Sequence, residues 1–151
     1  MRTSILPLVV LFILSGSVFG QIDWRKFDPS NSGSPNDIPG SFDDIKGLSK
    51  VCVIADKESR KAILKELKKQ PAFIIVDKLA DAEFVLVYST ISPEWNTQFD
   101  RGMTETGRLV AYVRRNGKRV VAWSEKTTDR AFYGNTAHDL IDKFLKRAKK
   151  L

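Results

Sequence analysis

The sequence predicts an α+β fold: a two-layer sandwich in which a five-stranded mixed sheet (β-α-β-β-β-β-α) carries two helices on one face. Three observations predict it. A strand–helix–strand succession runs through residues 51–76, an Asn116-Gly117 dipeptide sits between two alternating apolar runs, and the last fifteen or so residues repeat apolar side chains at helical spacing. The chain has 151 residues, 42% hydrophobic and 28% charged, which is room for one domain of ordinary globular composition. Collagen, a multi-span membrane protein and a fully disordered tail are excluded. So is a disulfide-stapled miniprotein, because Cys52 is the only cysteine.

Residues 1–20 read as a secretory signal peptide: Arg2, an apolar run from Ile5 to Leu14 interrupted by Pro7, and a small-residue exit Val18-Phe19-Gly20. The run falls short of the roughly 20 residues that span a bilayer, so cleavage after Gly20 is expected rather than anchoring. A periplasmic or extracellular protein follows. A single cysteine suits bacterial export better than a eukaryotic lumen, where small domains build disulfides.

Residues 21–46 read as a flexible linker, with Asp28-Pro29-Ser30-Asn31-Ser32-Gly33-Ser34-Pro35-Asn36 at the centre and Pro39-Gly40 beyond. Its Trp24, Phe27, Phe42 and Ile45 keep no period, although Trp24 or Phe42 is placed to dock on a core built elsewhere. The linker holds 3 basic and 5 acidic residues against 21 and 13 in residues 47–151, so the basic character belongs to the single α+β domain assigned there.

That domain opens with a buried-type strand Val51 to Ala55, in which Cys52 reads as a small core hydrophobe. Asp56 then caps a helix from Lys57 to Lys69 with Ala62, Ile63 and Leu67 inward, and Pro71 ends it. Strands Phe73 to Val76 and Phe84 to Tyr88 follow, giving an expected spatial order of second, first, third, fourth and fifth strand. Asn116-Gly117 suits a type I′ turn and sets a hairpin register. Counting outward pairs Arg115 with Lys118, Arg114 with Arg119, Val113 with Val120, Tyr112 with Val121, Ala111 with Ala122, Val110 with Trp123 and Arg108 with Glu125. One face then shows Leu109, Ala111, Val113, Val120 and Ala122, and the other Val110, Tyr112, Val121 and Trp123. The final helix buries Ala137, Leu140, Ile141, Phe144, Leu145, Ala148 and Leu151, capped by Asn135 or Thr136.

Catalytic motifs are missing from this pattern. No Gly-x-Ser-x-Gly elbow or HExxH pair occurs, and His138-Asp139 are helix neighbours that point in different directions. One histidine and one distant cysteine do not make a zinc set, and the nine glycines never form a phosphate loop, so neither metal, nucleotide nor other cofactor is expected. Two binding surfaces remain. Arg114, Arg115, Lys118 and Arg119 crowd one turn, where opposed arginines invite a counter-anion or simply keep the tip solvated. Tyr112 and Trp123 form an aromatic sheet face, and the Ile91 to Thr106 stretch with Trp95, Phe99 and Met103 either binds a partner or folds back over it.

The order Leu79-Ala80-Asp81-Ala82-Glu83-Phe84-Val85-Leu86-Val87-Tyr88, a polar insertion, Gly107-Arg108-Leu109-Val110-Ala111-Tyr112-Val113, then Lys118-Arg119-Val120-Val121-Ala122-Trp123 and a terminal helix resembles a family of uncharacterised secreted and lipoprotein domains of Gram-negative bacterial envelopes. The likeness spans about residues 51–150. This chain departs from it by lacking a lipidation cysteine and by carrying Arg114 where an acidic residue is usual. The resemblance implies a small envelope module without catalytic residues. The expected function is therefore a non-enzymatic periplasmic or secreted binding or assembly module, with an envelope protein or acidic polymer as partner and at most peripheral membrane contact. The alternative is an anion-binding surface protein that uses the basic hairpin tip on an acidic glycan, lipid headgroup or nucleic acid.

Overall fold

The computed structural model describes residues 37–91, 104–130 and 136–151. The elements are β1 (Asp37–Pro39), β2 (Lys50–Ile54), α1 (Lys57–Leu67), β3 (Ile74–Ile75), β4 (Phe84–Ile91), β5 (Thr104–Arg115), β6 (Lys118–Arg130) and α2 (Thr136–Ala148). They form one mixed sheet in the order β1-β6-β5-β4-β2-β3. Both helices pack on one face of it, giving the α+β two-layer architecture. The order expected from sequence holds, with a sixth strand added beside β6.

That extra strand corrects the linker. Residues 37–46 belong to the fold: β1 runs parallel to β6, with Asp37, Ile38 and Pro39 opposite Arg119, Val120 and Val121. A 3₁₀ turn, Phe42–Ile45, follows, started by a capping box in which the Ser41 hydroxyl accepts from Asp43 N and the Asp44 carboxylate from Ser41 N. The turn buries Phe42 and Ile45 against the main core. The signal-peptide residues, Trp24, the 92–103 stretch with Trp95, and Asn135 lie outside the described residues.

α1 begins where Asp56 predicts, its carboxylate accepting from the backbone N–H groups of Glu58 and Ser59 at 3.0 Å. Ile63 and Leu67 face the sheet. β2 pairs in parallel with β3 on one side and β4 on the other, and the connection through Leu79 and Ala82 passes across the opposite face, against Cys52 and Val85.

The hairpin turn has both central residues at positive φ, Asn116 at 53° and Gly117 at 73°, as a type I′ turn requires. Replacing Gly117 by valine puts a β-branched residue in left-handed backbone, and is expected to lower stability by about 1–2 kcal/mol. A melting temperature equal to the parent's would overturn the turn assignment. The pairing expected from the turn holds only from Arg115–Lys118 to Tyr112–Val121. A bulge then shifts it, placing Ala111 opposite Trp123, Val110 opposite Ser124 and Arg108 opposite Lys126. Both Ala122 and Trp123 consequently face the helices. The sequence pairings Ala111–Ala122, Val110–Trp123 and Arg108–Glu125 are replaced.

Around Phe144 of α2 gather Phe42, Phe73, Phe84 and Trp123, with ring centroids 5.5–6.2 Å away. At its N-terminus α2 meets the sheet through polar contacts: the Tyr88 hydroxyl and Thr136 Oγ1 lie 2.5 Å apart, and Thr136 Oγ1 donates to Glu105 at 3.0 Å. Gly107 makes this approach possible, because a Cβ there would sit 2.7 Å from both hydroxyl oxygens. Among the described residues no helix is long and apolar enough to cross a membrane.

Candidate anion-binding site

The hairpin tip is less cationic than its sequence. Arg115 pairs with Asp44, and Arg119 with Asp37 at 2.9 Å, so two of the four cations are matched by carboxylates of the segment read as linker. The Asp37–Arg119 pair is largely buried, at 4% and 13% side-chain exposure. Arg114 and Lys118 project to solvent. The aromatic face is also divided. Tyr112 is fully buried on the side away from the helices, whereas the bulge carries Trp123 to the helix side, where it packs on Phe42 and Phe144. Tyr112 and Trp123 therefore do not form one binding surface.

The helix-free face is apolar at its centre, with Cys52, Val85, Val87, Val110 and Tyr112 buried together. Burial raises the Cys52 thiol above its ordinary value of 9.0 and keeps it a weak nucleophile. Strand alternation places Ser89 of β4, Arg108 of β5 and Ser124 of β6 on this same face, beside Val110 and Tyr112. A polar patch results at the margin of an apolar surface.

Arg108 is its centre. The residue is only 9% exposed, and its Nε and Nη2 donate to Ser124 Oγ at 3.1 and 3.0 Å. No described carboxylate pairs with it. Directly across β4 lies Ser89, whose hydroxyl is buried and makes no hydrogen bond, and across β6 lies Lys126, a like charge. The guanidinium borders a cavity of about 440 Å³ whose other walls include Asp37, Pro39, Val121, Trp123 and Ser124. Tyr112 stands in the same field: burial first, then the Asp37 carboxylate, raise its phenol above 10.0, and Arg119 and Arg108 oppose them. A guanidinium with donors left over, the Ser124 hydroxyl and apolar walls, with the Asp37 carboxylate at the far side paired to Arg119, offers the fork that a carboxylate or phosphate takes.

A second concavity, of about 600 Å³, lies between the 3₁₀ turn and the C-terminal half of α2. Lys143, Lys146, Arg147 and Lys150 line it with Phe42, Asp43 and Leu151. Arg147 stacks over the Phe42 ring at 5.2 Å, and Lys143 reaches Glu125 at 3.4 Å. These cations are mostly solvated, so salt screens what they hold. A third grouping, Glu66, His138 and Asp142, brings a ligand atom from each within 4.8 Å of the others across the two helices.

Sequence reasoning missed Arg108. A charged residue in an alternating strand ordinarily points to solvent, and only the bulge and the added edge strand reveal which face it shares and with what. The apolar character of both faces in β4 and β5 was the available signal, since a cation on a face otherwise built of valine and tyrosine is not on an ordinary solvated surface.

Fold and site together define a small two-layer α+β domain with a cationic niche on its helix-free face. Comparison with protein-family models and with curated proteins gives no match. Among solved structures, the chain is similar to a hypothetical protein from Chlamydia trachomatis at 11% identity and a TM-score of 0.42, over 67% of this chain and 92% of that one.

Proposed function

We propose that the chain is a non-enzymatic binding module of the bacterial envelope or its exterior, and that its ligand is a small amphiphilic anion whose charged group meets Arg108. One observation carries this reading: an arginine about nine-tenths buried as a residue, whose guanidinium donates to a neutral serine hydroxyl. A buried charge without a counter-charge costs several kcal/mol, and an anionic ligand removes that cost while its apolar part lies against Pro39 and Val121. The envelope assignment rests on the signal-like residues 1–20 and on the family resemblance. An acidic polymer held by Arg114, Lys118 and the α2 groove is the second reading, supported by the four cations along that groove.

The test uses 8-anilinonaphthalene-1-sulfonate, a sulfonate on an apolar body, with decanoate as competitor. The native protein is expected to enhance its fluorescence saturably, at one site, and decanoate to reverse the effect. Arg108→Met keeps the packing volume without the charge and is expected to weaken binding at least tenfold while melting like the parent. Arg114→Glu with Lys118→Glu is expected to leave it within about twofold. Equal binding by parent and Arg108→Met overturns the reading. Dye release by moderate salt, together with loss in the hairpin variant, favours the acidic-polymer alternative.

A further inference from the structure

We propose that Glu66, His138 and Asp142 form a divalent transition-metal site, of the zinc type, that ties the end of α1 to the start of α2. It lies on the helix layer, independent of Arg108. The sequence argued against zinc because its one histidine and one cysteine are far apart; the fold supplies carboxylates instead. His138 and Asp142 stand four residues apart and share one face of α2, and Glu66 arrives from the last turn of α1.

The three donors stand somewhat wider than a bound metal would hold them. Tetrahedral zinc with bonds near 2.0–2.1 Å holds its ligand atoms roughly 3.3 Å apart. Here Glu66 Oε1 lies 3.5 Å from His138 Nε2, and one ligand atom of each of the three residues falls within 4.8 Å of the other two. His138 and Asp142 are 44% and 41% exposed, so rotations of these two side chains would bring the set together. Glu66 is the fixed member, its side chain 9% exposed beneath the helix pair.

The choice of metal follows from the donors. An imidazole with two carboxylates suits zinc and its neighbours better than calcium or magnesium, which prefer oxygen alone. Three protein ligands leave a coordination position for water. One group competes: Lys69 Nζ sits 2.7 Å from both Glu66 oxygens and already supplies the positive charge there. Lys69 is 57% exposed and can turn out to solvent, so a metal would replace an ammonium ion already bound in the same place.

This competition yields a test that a casual surface ligand would not pass. The untagged chain, purified in chelator and freed of it, is titrated with Zn²⁺ by calorimetry and with Co²⁺ by visible absorption. One equivalent of Zn²⁺ is expected to bind and to raise the melting temperature by several degrees at saturation. His138→Ala is expected to lose at least tenfold in affinity and to erase the cobalt band, while Lys69→Met is expected to bind several-fold tighter than the parent. His138→Ala should melt like the parent in chelator, whereas Lys69→Met strands the Glu66 carboxylate and is compared with its own metal-free melting temperature. Unchanged binding in His138→Ala overturns the proposal, as does a Lys69→Met protein that binds no tighter than the parent.

Discussion

Phe144→Ala is expected to lower the stability of the domain by about 3–5 kcal/mol, the range for removing a large aromatic from a close-packed interior. Phe144 is fully buried and contacts four other rings, two of which, Phe84 and Trp123, come from the sheet. Phe42 comes from the 3₁₀ turn, and Phe73 from the segment leading into β3. A cavity at this point cannot be filled by one neighbour moving, because each ring is anchored in a different element. The surroundings therefore relax little and the cost approaches the upper end. Urea unfolding of Phe144→Ala and Phe144→Leu measures it. An alanine variant within about 1 kcal/mol of the parent would mean that α2 does not close the core as described.

A chain that begins at Gly47 is expected to lose about 3–6 kcal/mol, or to fail to fold, compared with one that begins at Ser34. Phe42 and Ile45 go with the deletion, each a buried side chain worth about 1.5–3 kcal/mol. The counter-charges go too. Arg119 loses Asp37 from a largely buried pair and Arg115 loses Asp44, and stranding a buried charge is costlier than deleting both partners. For the same reason Arg119→Glu would not be a neutral probe of the hairpin tip, since it would set two carboxylates against each other at the β1–β6 junction. Chemical denaturation of the two chains under one set of conditions decides the matter. Equal midpoints would return residues 37–46 to a linker.

The two longest strands show what a sequence can and cannot say about register. Asn116-Gly117 fixes the pairing near the turn because only a few dipeptides accept positive φ at both centres, and the first four pairs follow from it. Farther out, Val110, Ala111, Ala122 and Trp123 are apolar on whichever face they fall, so nothing in their pattern marks the extra residue of the bulge. β1 was illegible for another reason. Three residues ending in a proline, beside glycine and serine, have the composition of a loop, and their pairing comes from β6 and from the Asp37–Arg119 contact. Arg108 and the Glu66–His138–Asp142 grouping depend on residues 16 to 76 positions apart along the chain, so they became visible only once the strands and helices were placed. The terminal helix was plain because its apolar stripe is repeated over three turns and its far side is charged.

The edges of the sheet carry one more consequence. β3 closes one side with two residues, and β1 covers only Arg119 to Val121 of the thirteen-residue β6, so no described strand pairs with the outer side of β6 from Ala122 onward. A strand edge that no described strand covers is a template on which another copy of the chain could add its own backbone. What guards it is the side-chain sequence Glu125-Lys126-Thr127-Thr128, which sets charges of both signs along a stretch without apolar residues. Among the described residues, protection against polymerisation along this edge is therefore electrostatic rather than geometric: it weakens with salt and with every neutral substitution at the charged ones of those four positions, even where the folded core is untouched.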